Sequence, residues 1–127
     1  MKAVLLDTHS WAWTLCDPSK LSVRAQDVLN RAETIYVSPV SFVEIGQKVR
    51  IGKWAEMEPY VHQLSALLEQ QPGSIAALEP SICVDAGMMD WDHRDPFDRL
   101  IAATALYYAL PLVSADTVFD GKVPRVW

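Results

Sequence analysis

Residues 3–6 read Ala-Val-Leu-Leu, an apolar run with no polar alternation, and Asp7-Thr8-His9-Ser10 follows at once. A strand with no polar face has to be covered on both sides, which is the setting of a parallel sheet between layers of helices. The polar cluster that ends the run consists of helix-capping residue types, so a helix is expected directly after the strand.

The rest of the chain continues this alternation. Trp11 to Leu15 is expected as a short helix, stopped by Asp17-Pro18. Ser22 caps a second helix to about Glu33, with Val23, Ala25, Val28 and Leu29 on its apolar side. Thr34–Val37 reads as the second strand. Ser38-Pro39 opens the next helix, because proline suits a first turn where its missing N–H has no partner, and Gly52 ends it. Glu58-Pro59 opens a helix to about Gln70, broken by Gln71-Pro72-Gly73. Residues 74–78 form a weak third strand, and Glu79-Pro80-Ser81 caps a helix from Ile82 to about Met89. After the polar loop 90–95, Pro96 starts an apolar helix, Phe97 to Ala109. Residues 110–114 make the fourth strand. Val123–Val126 is a short edge strand in which Pro124 is tolerated. Alternating strands and helices predict an α/β fold with a central parallel sheet of four to five strands.

At 127 residues the chain fits one domain, 1–127. Half of it is hydrophobic and 21% is charged, which excludes intrinsic disorder. No apolar run approaches the ~20 residues of a membrane-spanning helix, and Asp7 interrupts the N-terminal run too early for a signal peptide, so no membrane partner is expected. Cys16 and Cys83 form no CxxC pair, and no His stands at zinc-ligand spacing; they read as reduced thiols of a cytoplasmic protein. The net charge of −5 excludes coating of nucleic acid through bulk charge, but not a local nucleic-acid site.

Four acids are placed to meet. In open parallel sheets, ligands bind beyond the carboxyl ends of the strands, near the point where strand order reverses. Asp7 follows the first strand and Asp116 the fourth; if these strands are neighbours, the two side chains are close. Glu44, six residues beyond Ser38, and Asp98, three beyond Asp95, sit just inside helices that begin at the same edge. Carboxylates converging on one cleft repel unless a cation lies between them. Oxygen ligands without His or Cys select Mg2+ or Mn2+, which points to phosphodiester chemistry. Each acid also has a plainer reading: Asp7, Asp95 and Asp116 as caps, Glu44 as a solvent-facing residue, and Asp98 as a complement to the helix dipole. The joint placement is what carries weight.

Lys48, Arg50 and Lys53 follow Glu44, and Arg94 and Arg99 flank the later helix start. They read either as contacts to nucleic-acid phosphates or as a solvated helix face. Among five Trp, Trp11 and Trp13 lie after Asp7, as core residues or as a groove for a partner segment. His9 and His93 read as hydrogen-bonded surface groups rather than metal ligands.

Leu5-Leu6-Asp7-Thr8-His9, residues 38–45 (Ser-Pro-Val-Ser-Phe-Val-Glu-Ile), residues 93–103 (His-Arg-Asp-Pro-Phe-Asp-Arg-Leu-Ile-Ala-Ala) and residues 112–119 (Leu-Val-Ser-Ala-Asp-Thr-Val-Phe) resemble the PIN domain. More closely, they resemble the VapC toxins of VapBC toxin–antitoxin modules. The resemblance covers almost the whole chain. It implies a three-layer α/β/α fold and an Mg2+- or Mn2+-dependent ribonuclease. It implies that Asp7, Glu44, Asp98 and Asp116 form the acidic, metal-holding cluster, that Thr8 orients a carboxylate or a water, and that Asp95 is a fifth acid. It further implies a VapB-type antitoxin as partner, RNA as substrate, and assembly as a homodimer and a toxin–antitoxin hetero-oligomer. Two alternatives stand beside it. A phosphoryl-transfer enzyme using Asp7 as nucleophile lacks the second acid of an Asp-x-Asp motif, since His9 stands there. A receiver-like interaction module lacks the paired acids near its start.

Overall fold

A computed structural model describes residues 2–127; Met1, part of the N-terminal segment weighed above as a leader, lies outside them. The elements run β1 (Ala3–Leu6), α1 (Thr8–Cys16), α2 (Val23–Arg31), β2 (Thr34–Val37), α3 (Pro39–Arg50), α4 (Leu64–Gln70), β3 (Gly73–Ile75), α5 (Pro80–Met88), α6 (Pro96–Tyr107), β4 (Leu112–Val113) and β5 (Arg125–Val126). All strand pairs are parallel, in the order β3-β2-β1-β4-β5. No helix among the described residues is long and apolar enough to cross a membrane.

The unbroken apolar run at the start becomes the middle strand. Val4, Leu5 and Leu6 have no exposed surface. Val4 and Leu6 face a core built with Trp11, Ala25, Ile45, Met57 and Leu68, from α1 to α4. Leu5 faces the opposite core, with Ile101, Ala102 and Ala105 of α6 and Phe119. α5 packs outside α6 through Ile82, Ala86 and Ala103. The architecture is therefore helix–sheet–helix, the three-layer α/β fold expected.

The boundaries differ where local chemistry was decisive. α1 begins at Thr8 rather than Trp11, because the Asp7 carboxylate caps it, accepting from the Ser10 N–H at 2.8 Å. The helix expected over 58–70 is an α-helix only over Leu64–Gln70. The stretch Ala55–Tyr60 is 3-10 turns with Pro59 inside, which cannot continue an α-helical ladder. β4 and β5 are two residues each, because Pro111 and Pro124 lack the N–H a longer ladder needs. Their carbonyls still serve: Pro111 accepts from Leu5 at 2.9 Å and Pro124 from Leu112 at 2.8 Å. β3 ends at Ile75 and starts at Gly73, where a Cβ would stand 2.7 Å from the Leu68 carbonyl oxygen. Glycine is what lets the strand leave α4 so closely.

Candidate active site

β1 lies between β2 and β4, so the chain winds outward to β3 on one side and then returns to fill the other. The crevice at that reversal opens beyond Leu6 and Val113, which are in register. A cavity of about 350 Å3 occupies it, and Asp7, Glu44, Asp95, Asp98 and Asp116 all line it, with Thr8 and Lys48. All four acids singled out in the sequence, and Asp95, therefore share one cleft.

Each acid is held differently. Asp7 is 7% exposed; one oxygen caps α1 and the other accepts from the Ser114 hydroxyl at 2.5 Å. Ser114 also accepts from the Asp116 N–H at 3.0 Å, so one hydroxyl couples the ends of β1 and β4. Asp116 is exposed and caps the following turn, accepting from the Val118 N–H at 3.0 Å. Its plainer reading as a turn cap is thus also true. Glu44 is 5% exposed, which removes its reading as a solvent-facing residue. Its Oε2 accepts from Lys48 Nζ at 2.9 Å, whereas its Oε1 is buried with no hydrogen-bond partner. Asp95 caps α6, accepting from Phe97 N–H at 2.9 Å, which delivers Asp98 on the first turn. Asp98 Oδ2 lies 2.7 Å from His93 Nε2.

Burial pushes the carboxyl groups of Asp7 and Asp98 up, the latter to about 6. Hydrogen bonds from Ser114 and Ser10 oppose the shift at Asp7. The His93 hydrogen bond opposes it at Asp98, while the neighbouring charges of Asp95 and Glu44 add to it. In the unfolded chain these carboxyls titrate near the ordinary value, so between the two values the folded state holds more protons. The Asp98 contribution to stability is therefore present at low pH and lost as pH rises from about 4 to 6. In EDTA, the melting temperature of the wild type should fall over that interval relative to that of Asp98→Asn. A difference that does not change with pH contradicts a buried, uncompensated Asp98.

Ligand atoms of His93, Asp95 and Asp98 lie within 4.8 Å of one another, the one such group of three among the described residues. Asp7, Glu44 and Asp116 line the same cavity as Asp95 and Asp98.

The family model that matches the chain is the PIN domain, over residues 4–122. The chain belongs to the PIN domain family. It is 29% identical to Ribonuclease VapC22 of Mycobacterium tuberculosis over 117 residues, 91% of this chain and 88% of that protein. Among solved structures it is similar to a chain of VapBC2 from Rickettsia felis bound to a DNA fragment from their promoter. That match has a TM-score of 0.68 at 15% identity, over 97% of this chain and 96% of the other. FitAcB from Neisseria gonorrhoeae matches with a TM-score of 0.62 at 20% identity, over 96% and 95% of the two chains. At these identities the structural likeness establishes the PIN fold.

In this PIN domain two supporting residues, Ser114 and Ser41, were not singled out from sequence, and His93 was read only as a hydrogen-bonded surface group. Ser114 positions Asp7, His93 meets Asp98, and the Ser41 hydroxyl shares a 2.9 Å hydrogen bond with Thr8. The hydroxyl that bonds a site carboxylate is that of Ser114, and the Thr8 hydroxyl bonds Ser41 of α3. The signal for Ser114 was its place two residues before Asp116 in Leu-Val-Ser-Ala-Asp.

Arg99 is a correction. Its guanidinium donates to five carbonyl oxygens: Ala86 at 2.8 Å, Trp91 at 2.7 Å, His93 at 3.0 Å, Gly87 at 3.4 Å and Met89 at 2.5 Å. A guanidinium has five N–H donors, so none remains for an RNA phosphate. Arg50 and Lys53 are exposed near the end of α3, and Lys48 alone of the three lines the cleft. Trp11 is wholly buried and belongs to the core, but Trp13, two residues on, lines the cleft.

Proposed function

We propose that this chain, one domain over 1–127, is a metal-dependent endoribonuclease, the toxin of a toxin–antitoxin pair, and that it acts in the cytoplasm. The observation that carries the reading is the cleft itself: buried Asp7 and Glu44, half-buried Asp98 and exposed Asp116 line one cavity. The likeness to a protein named Ribonuclease VapC22 supports the substrate class.

The donor set fits a hard divalent cation, Mg2+ or Mn2+. Apart from His93, which stands beside Asp95 and Asp98, it consists of carboxylates, and Glu44 Oε1 is a buried acceptor with nothing donating to it. Asp7, Glu44, Asp98 and Asp116 would hold the ion. When bound, such an ion lowers the pKa of a coordinated water and offsets charge on the phosphoryl oxygens.

The chain's own residues set up the rest. Ser114 and the Ser10 N–H fix the Asp7 carboxylate, and His93 fixes that of Asp98. Lys48, held over the Trp54 ring at 5.3 Å, is the one Lys or Arg among the described residues that lines the cleft and is placed to meet an anionic oxygen entering it. With Thr8 bound to Ser41, α1 and α3 hold their acids at a fixed spacing.

The likeness to a chain of VapBC2, solved bound to a DNA fragment from their promoter, supports a VapB-type antitoxin as partner here. Met88, Leu106 and Tyr107 form an exposed apolar patch on α5 and α6, which supports a homodimer within the toxin–antitoxin hetero-oligomer. Expression of the wild type should generate new RNA 5′ ends at defined sites, and expression of Asp7→Asn should not. The same ends in both would refute the ribonuclease assignment.

Lys48 and Lys53 are assigned to phosphate contact. The double substitution Lys48→Ala, Lys53→Ala should weaken RNA binding and flatten the dependence of log K on log salt by about 1.4, at ~0.7 per single-strand contact. An unchanged slope removes both from the interface.

A further inference from the structure

An aromatic wall stands beside the acids, and the reading above gives it no task. His9 and Trp13 are one helical turn apart on α1, their ring centroids 5.8 Å apart, and both line the cleft. His9 lies over Trp54 at 4.8 Å with an interplanar angle of 31°, and Trp13 meets Trp127 at 5.9 Å. Trp54 is 8% exposed and forms the backing, whereas His9 is exposed and Trp13 half-buried. The chain thus keeps a half-buried indole at the edge of a polar, acid-lined cavity, whereas Trp11 on the same helix is buried completely.

Aromatic faces next to a phosphate-handling cleft match one chemical feature of RNA, the unpaired base. In a duplex, bases are stacked on each other and their faces are unavailable; in loops and single strands they can splay out onto aromatic side chains. We propose that Trp13, supported by His9 and Trp127, is a stacking platform for an unpaired nucleobase adjoining the scissile phosphate. This rests on the ribonuclease reading, and it adds a specificity-determining residue that acts on the base rather than on the phosphate.

The test uses Asp98→Asn protein in Mg2+, so that RNA is bound but not cut. The probes are a labelled single-stranded 12-mer, the same strand in a duplex, and a series with one abasic position moved along the strand. Trp13→Leu should bind the single-stranded 12-mer about 5- to 150-fold more weakly, the range of one base–aromatic stack, and bind the duplex unchanged. At one position, the abasic probe should lose the same factor with Trp13 present and nothing further with Trp13→Leu. Trp13→Phe should recover most of the affinity, which separates stacking from a folding defect. Three results overturn the proposal. One is an equal loss for every probe. Another is no measurable binding of the single strand with Trp13 intact. The third is unchanged RNA binding, including the case where capture of the antitoxin is weakened instead. The ribonuclease reading fails separately: it falls if wild-type protein in Mn2+ cleaves no RNA, whatever Trp13 does in the binding assay.

Discussion

Asp98→Asn should raise the melting temperature of the metal-free protein while reducing RNA cleavage at least ~1000-fold, in line with loss of a central electrostatic or metal-binding group. The two effects have one origin. Asp98 carries a carboxyl raised to about 6 by burial, with Asp95 and Glu44 adding repulsion. At pH 7.5 it is nevertheless ionised, and holding that charge in the cleft destabilises the fold. An amide of the same shape removes the charge and keeps a partner for His93 Nε2, which lies 2.7 Å away. The wild type should then be stabilised by Mn2+ and Asp98→Asn much less, because binding to the folded state alone raises stability as RT ln(1 + [L]/Kd). Thermal melts of both proteins in EDTA and in Mn2+ check this. A variant that melts lower than wild type in EDTA would mean that Asp98 is already compensated.

Arg99→Ala should cost about 3–5 kcal/mol and lower the melting temperature by at least ~10 °C, without any direct effect on RNA contacts. The guanidinium gathers the carbonyls of Ala86, Gly87 and Met89 from the end of α5 and its exit, and of Trp91 and His93 from the following loop. Truncation leaves partly buried acceptors without donors and frees the loop that presents His93 and Asp95 to the cleft. Arg99→Lys should rescue little, because one ammonium has three donors on a flexible stem and cannot reproduce a planar fork. Denaturant unfolding measures the loss. A loss below about 1 kcal/mol together with weaker RNA binding would return Arg99 to the interface.

The contrast between Arg99 and the acids shows what a sequence carries on its surface. Asp7 and Asp116 are legible because each ends a strand, and strand ends in a parallel sheet gather at one edge. Glu44 and Asp98 are legible because a Ser-Pro or Asp-Pro start fixes where their helices begin. All of this is local pattern plus one topological rule. The partners of Arg99 are backbone carbonyls at the end of α5 and in the loop after it, so nothing in residue types marks them as acceptors. The Thr8–Ser41 and Asp7–Ser114 pairs span 33 and 107 positions and exist only once the strands and helices are assembled. The split between Trp11 and Trp13 has the same cause: neighbours on a helix point to different faces, and only packing decides which face is core. The helix over-extended to residue 58 reflects a proline that starts helices well but here sits inside a 3-10 turn.

The net charge of −5 also takes a different meaning once the acids are placed. Five of the sixteen acids line one cleft, and two divalent ions there would offset four of the five excess negative charges. The acidity is then concentrated where a cation is needed rather than spread over the surface that meets RNA.

The most direct measurement is cleavage of a single-stranded RNA by purified protein in Mg2+ or Mn2+, in excess EDTA, and by Asp7→Asn in the same metal. Cleavage in metal alone, abolished by chelation, restored by added Mn2+ and absent in Asp7→Asn, is the predicted result. Cleavage that persists both in EDTA and in Asp7→Asn would contradict a metal-dependent ribonuclease site built on these four carboxylates.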